Sequence, residues 1–184
     1  MGLGDALRRL RRPSRVAEIP GLRQADVAAA IPLSGSPVPS IGLRRVGLVA
    51  FWDDRNAADA FLATDSLAAS FAGGWHATLE PLRAFGAWPG LPDTIPRSRH
   101  TDYDGPAVVV TLGRLRLPQV IRFLRTSRPA AAAALTSGGM RWGTALVRPP
   151  LVATCSLWES TAALSDYAYG TEGGLRPRSG VTAD

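Results

Sequence analysis

Side chains able to bind a metal, act as a general base or act as a nucleophile are scarce in this sequence. There are two histidines (His76 and His100), one cysteine (Cys155) and three tyrosines (Tyr103, Tyr167 and Tyr169). A single cysteine excludes an internal disulfide framework and a multi-cysteine zinc site, and points to a reducing compartment. His76 follows Gly74-Trp75 where an extended segment begins, a place for a ligand or for an ordinary boundary histidine. His100 sits in a charged connector, Arg97-Ser98-Arg99-His100-Thr101-Asp102, and reads as solvated. Cys155 alternates with Leu151 and Leu157 along one strand face, which reads as a small buried hydrophobe. Five tryptophans (Trp52, Trp75, Trp88, Trp142 and Trp158) could line an apolar pocket or pack a core. Trp52 and Trp158 suit the core better. No phosphate-binding loop, nucleophile elbow or metalloprotease helix is present.

The charge is one-sided. The chain has 184 residues with 21 basic against 15 acidic, a formal charge of +6, and every basic residue is arginine. Abundant Ala, Gly and Pro alongside argue for coding bias, and no helix-turn-helix, zinc-finger or RNP signature points to nucleic acid. The distribution is nonetheless uneven. No acid lies between Asp104 and Glu159, whereas Arg114, Arg116, Arg122, Arg125, Arg128, Arg141 and Arg148 do. That stretch could meet an anionic membrane surface or a cofactor carboxylate. The composition, 46% hydrophobic and 20% charged, is that of a globular chain. No apolar run is long enough to span a bilayer, and no apolar stretch follows the N-terminal arginines as a secretory signal would require. The expected location is the cytoplasm, with peripheral membrane contact as an option.

Positioning these residues requires the chain's internal repeat. Apolar runs end in Trp52-Asp53-Asp54 and in Trp158-Glu159-Ser160, 106 positions apart (158 − 52). At that spacing Ala57 falls on Ala163 and Phe61 on Tyr167. Upstream, Gly21-Leu22-Arg23 resembles Gly139-Met140-Arg141, and Arg8-Arg9-Leu10-Arg11 resembles Arg122-Phe123-Leu124-Arg125.

In the first copy, the pattern predicts a helix over 4–12, strands over 21–33 and 45–52, and a turn-rich connection over 34–39. The strand over 45–52 is apolar on both faces and so expected to be central. Asp54 should cap a helix buried through Ala57, Phe61, Thr64, Ala68 and Phe71, and 75–85 should be extended. In the second copy it predicts a strand over 106–116 and a helix from Pro118 that Pro129 ends or kinks. A hairpin of 140–147 with 151–158 follows, then a helix capped by Ser160. Met140, Trp142, Thr144 and Leu146 should share one face. The expected organisation is a first ferredoxin-like half over 1–90, a connector over 91–104, a second half over 105–170 and a loose tail over 171–184. Each half lacks one terminal strand. Two such α+β units can pack sheet on sheet into an α+β barrel.

The stretches carrying these elements resemble the spheroidene monooxygenase family. The second copy carries it in Gly105-Pro106-Ala107-Val108-Val109-Val110-Thr111, Arg122-Phe123-Leu124-Arg125, Gly139-Met140-Arg141-Trp142, Pro150-Leu151, Ser156-Leu157-Trp158-Glu159-Ser160 and Ala168-Tyr169. The first copy carries it in Arg45 through Trp52, Trp75 and Leu79 through Gly90. The resemblance implies a haem-dependent, ferredoxin-fed oxygenase that adds an oxo group to an acyclic carotenoid. It also implies a fold like that of the antibiotic-biosynthesis monooxygenases of the dimeric α+β barrel superfamily. On that implication His76 is the candidate axial ligand, and Arg83 or Arg141 could meet a propionate or be solvated strand arginines. The haem would then sit between the two halves, with Trp75, Trp88, Trp142, Thr144 and Leu146 lining the substrate pocket. The resemblance further implies a leading strand and a histidine- and aromatic-containing ending, whereas 171–184 has neither residue type. The alternative expectation is therefore a non-catalytic ligand-binding module, or a truncated or degenerate paralogue that keeps the fold without the cofactor.

Overall fold

A computed structural model describes residues 18–33, 45–88, 90–98, 101–114, 120–148 and 150–170, without the side chains of 120–126. The helix expected over 4–12, the turn over 34–39, His100, Pro118 and the tail over 171–184 lie outside the described residues, as does the expected apolar stripe of Val120, Ile121 and Leu124. The chain divides into two compact units, Met1–Ala30 with Leu43–Thr101, and Ile31–Gly42 with Asp102–Asp184. The fold is mixed α+β. Among the described residues there are five strands and four helices. None of the described helices is long and apolar enough to cross a membrane.

β1 (Leu22–Pro32), in the first unit up to Ala30 and in the second from Ile31, runs antiparallel to β2 (Val46–Trp52) over Leu22 to Ala29. Asp54, in extended conformation, accepts from the Ala57 amide at 2.9 Å and starts α1 (Arg55–Thr64). The expected single helix breaks at Asp65, whose carboxylate accepts from the Leu67 amide at 2.6 Å and caps a short α2 (Ser66–Ala69). Thr64 is therefore exposed rather than buried, and its hydroxyl turns back to the Ala60 carbonyl. Phe61, Leu67 and Ala68 form the core, with Ile19, Leu48, Trp52 and Phe71 packed against it.

β2 stands at the sheet edge rather than in the centre. Its apolar residues have another cause. Leu48 and Trp52 face the helices, while Phe51 meets Trp88 edge-on and lies beside Gly90. Helices cover one face and an irregular segment part of the other, and all seven residues of β2 are half-buried. The strand expected over 75–85 is irregular chain. Pro81 denies it one ladder bond, and Trp75, Leu79, Leu82 and Phe85 are exposed.

The second unit runs β3 (Ala107–Arg114), α3 (Val120–Thr136, with Pro129 inside), β4 (Met140–Arg148), β5 (Leu151–Trp158) and α4 (Thr161–Tyr169). β5 lies between β3 and β4, antiparallel to both. Trp158 is 1% exposed, stacks on Tyr167 at 4.9 Å and donates to the Ser156 hydroxyl. Tyr167 donates to the Ala130 carbonyl, which ties α4 to α3.

The ends of the two hairpins are built alike. Asp53 N–H donates to Gly21 O at 2.8 Å, and Glu159 N–H to Gly139 O at 2.9 Å. Gly21 lies against Ala57 and Gly139 against Ala163, each too close for a Cβ. Arg23 pairs with Asp53 and Arg141 with Glu159. Trp52 packs on Phe61 as Trp158 does on Tyr167. Both strand pairs slip by one residue at the same place, between Leu22 and Gln24 and between Met140 and Trp142. The recurrence covers this strand–strand–helix module. A complete ferredoxin-like repeat is not seen among the described residues of the first unit.

Candidate functional site

Cross-strand register defines one face of the second unit's sheet. Residues directly opposite each other in an antiparallel pair share a face, and alternate residues along a strand do too. The rungs on this face are Val108–Leu157–Trp142, Val110–Cys155–Thr144, Leu112–Ala153–Leu146 and Arg114–Leu151–Arg148. The other face carries Trp158, over which Tyr167 and hence both helices lie. The slip at Arg141 puts Met140 opposite Trp158, so Met140 leaves the face on which Trp142, Thr144 and Leu146 remain. Its residue types suit an apolar ligand: eight aliphatic, alanine or aromatic side chains, a thiol and a hydroxyl, with arginines at one end. Thr144 and Leu146 are 8% and 7% exposed, whereas Leu112 and Trp142 are each 37% exposed. Thr144 donates to the Ile31 carbonyl at 2.9 Å.

The remaining candidate residues lie elsewhere. Arg141 is on the bulge and forms a 2.9 Å ion pair with Glu159, repeating Arg23 and Asp53 in the first unit. That pairing gives it a structural role beside the propionate role expected of it. Trp75, His76, Arg83 and Trp88 all belong to the first unit. Trp75 and His76 are exposed. Arg83 is half-buried, its guanidinium 6.0 Å from the Phe85 ring centre. Trp88 is anchored by its indole N–H, which donates to the Phe85 carbonyl at 2.8 Å. Sequence reading missed Val108, Val110 and Leu112 as lining, although alternation along β3 carried the signal. It also missed Gln24 and Asp26, a hydrogen-bonded polar pair on the face of β1 that bears Phe51.

A haem would need an iron ligand from this chain, and His76, Cys155 and Tyr167 are candidate donors. An axial ligand belongs in a pocket that excludes water. His76 stands in an exposed stretch in which 72–82 are all exposed. Burial pushes the Cys155 thiol above its ordinary range, away from the thiolate that binds iron. Burial likewise raises Tyr167, whose hydroxyl is already donated to Ala130. Among the described residues no group of three His, Cys, Asp or Glu side chains could hold a metal ion. As placed, these donors do not fit an axial position.

No family model matches the chain, and no solved structure matches it. It is similar to a protein named spheroidene monooxygenase from Rubrivivax gelatinosus, 28% identical over 130 residues. The match covers 67% of this chain and 50% of the relative, so the chain spans about half the length of the curated protein it matches. Strand–helix motifs and alignment together support a family relationship between this chain and spheroidene monooxygenase.

Proposed function

We propose that this chain is a spheroidene-monooxygenase-like protein that holds an apolar substrate of the carotenoid class for oxygenation on the face of β3, β5 and β4 opposite Trp158. The observation that carries the reading is the continuous set of apolar rungs from Val108 to Leu151. Apolar walls bind a polyene by removing hydrocarbon from water. The oxo-transfer that the family resemblance implies draws on haem and a ferredoxin-type reductant. Because His76, Cys155 and Tyr167 as placed do not fit the iron, the part assigned to the residues of this face is to bind, orient and dry the substrate.

One observation favours a second reading. With His76 exposed and Cys155 held as a thiol, the same face would serve a non-catalytic ligand-binding module equally well. The deciding experiment supplies the chain with haem, a ferredoxin reducing system and an acyclic carotenoid. Carotenoid absorption reads binding, and mass spectrometry reads gain of oxygen. Binding with oxygenation supports the enzyme, and binding without it supports the module. Leu112→Asp, which places a charge on the partly exposed edge of the face, should abolish binding in either case. An unchanged absorption shift in that variant removes this face as the site.

A further inference from the structure

Beyond the reading of that face, we propose that the outer edge of β3 pairs with β3 of a second copy of this chain, antiparallel and centred on Val109. Among the described strands β3 pairs with β5 alone, in register over all eight residues and without a bulge. Alternate residues of such a strand turn their N–H and C=O groups away from β5, toward an edge that no described strand occupies. Sheet edges that face water are normally blunted by a charge, a proline, a bulge or shortness. From Ala107 to Gly113 β3 has neither charge nor proline, and Thr111, Leu112, Gly113 and Arg114 are all exposed. The edge is built to be paired.

The residues at its two ends select a second copy and set the direction. About an axis at Val109, Val108 lies opposite Val110 of the second copy, Ala107 opposite Thr111 and Pro106 opposite Leu112. Exposed Leu112 is thus covered by Pro106, which is itself exposed ahead of the strand. Arg114, the one charged residue of β3, comes to the end where Asp104 of the second copy leads into its own β3. Asp104 is exposed, and there it accepts from the Ala162 amide and the Thr161 hydroxyl. A parallel pair would bring the two Arg114 side chains to the same end instead. The twofold repeats each contact, so two apolar rungs and two ends of opposite charge close one self-complementary interface. Residues directly opposite in an antiparallel pair share a face. Val108, Val110 and Leu112 of the two copies therefore lie side by side, and the face proposed for the substrate continues across the axis. A strand pair of this length buries less than a permanent dimer does, so the association is expected to be weak, in the micromolar range.

The test is sedimentation velocity of the full chain from about 1 to 100 μM, where a monomer–dimer equilibrium should appear. Arg114→Glu should weaken the dimer about tenfold, because both symmetry-related ends then carry like charge. Cysteine pairs in a Cys155→Ala background read the register. Under mild oxidation, a mixture of the Pro106→Cys and Leu112→Cys variants should form a disulfide-linked dimer, since the two positions are directly opposite. Neither variant alone should do so, because its two cysteines lie six residues apart along the strands, about 20 Å. Far-UV circular dichroism checks that each variant is folded.

A parent that is monomeric throughout overturns the pairing and leaves the substrate face standing. If removing residues 171–184 makes that monomer dimerise, the edge is taken by the chain's own end, which also overturns the inference. A dimer whose mixed variants fail to cross-link, whose single variants cross-link as well as the mixture, or which Arg114→Glu leaves unchanged does not use this edge in this register, and the proposal falls.

Discussion

Replacing Gly139 by alanine tests the strand–helix junction at its tightest point. The new Cβ would fall well inside van der Waals contact of the Ala163 Cβ, in the first turn of α4. Gly139 is not among the glycines of positive φ, so the cost is steric alone. Overpacking of this kind costs about 1–3 kcal/mol. For a chain of this size that lowers Tm by roughly 2–12 °C. Ala163→Gly costs about 0.5–1 kcal/mol on its own as a helix substitution. In the double variant the clash disappears. Removing glycine's freedom from the unfolded chain returns about 0.4–1 kcal/mol, leaving stability close to that of the parent. The expected coupling is thus favourable by about 1.5–4 kcal/mol. Gly21 and Ala57 provide the contrast, because Gly21 has φ 72°. Gly21→Ala with Ala57→Gly relieves the clash but leaves an alanine in left-handed conformation, a remaining cost of about 1–2 kcal/mol. Urea unfolding followed by tryptophan fluorescence measures all six variants. If Ala163→Gly fails to rescue Gly139→Ala, or if the Gly21 pair is rescued as fully as the Gly139 pair, the junction is not the steric lock described.

Ser160→Ala and Asp54→Ala each remove a side chain that accepts from the amide three residues on, and each should cost about 1 kcal/mol in urea unfolding. The Cys155 thiol is raised by burial, so iodoacetamide should modify it more slowly than an unfolded-chain thiol, with a rate still climbing above pH 9. Because the folded state holds that proton more tightly, its contribution to stability is intact below the unfolded thiol's pKa and is lost as pH rises through the folded one. Urea midpoints measured from pH 7 upward should therefore fall less in Cys155→Ala than in the parent. Any Soret band formed on adding haem should be unchanged in His76→Ala, since the imidazole stands in exposed chain; a lost band would place it on the iron.

The strand–helix junctions were readable because several independent signals coincide within a few residues. An apolar run ends in tryptophan, an acid follows, then a capping residue, then an alanine where the helix meets a glycine. Each has a local physical cause, and the repeat states it twice. The apolar alternation of β3, β4 and β5 likewise carried most of the candidate face. What escaped reading was set by distant packing. β2 is apolar on both sides because Trp88 and Gly90 approach one of them, which strand periodicity cannot register. The one-residue slip at Arg141 moves Met140 across the sheet without any change in residue type. Asp65 was legible in principle, since a second capping residue inside an alanine-rich helix marks a restart. The segment 75–85 has strand-like residues but gains no ladder in the described structure, and its aromatic residues raised an expectation that only a paired neighbour could have met.

The two hairpins reach the same junction through very different connections. Thirteen residues separate β1 from β2, whereas two, Pro149 and Pro150, separate β4 from β5. The junction lies at the far end of each hairpin, some seven or eight residues from the connection, and is indifferent to its length. The two-residue connection at 149–150 is therefore a natural port for inserted sequence. Loop-closure entropy grows by only about 0.6 kcal/mol for each doubling of length, so a peptide tag or small reporter domain grafted there should leave the tryptophan–tyrosine stack intact. It would also stand beside Arg148, at the charged end of the apolar face, where a fluorophore could report ligand arrival without altering a lining residue.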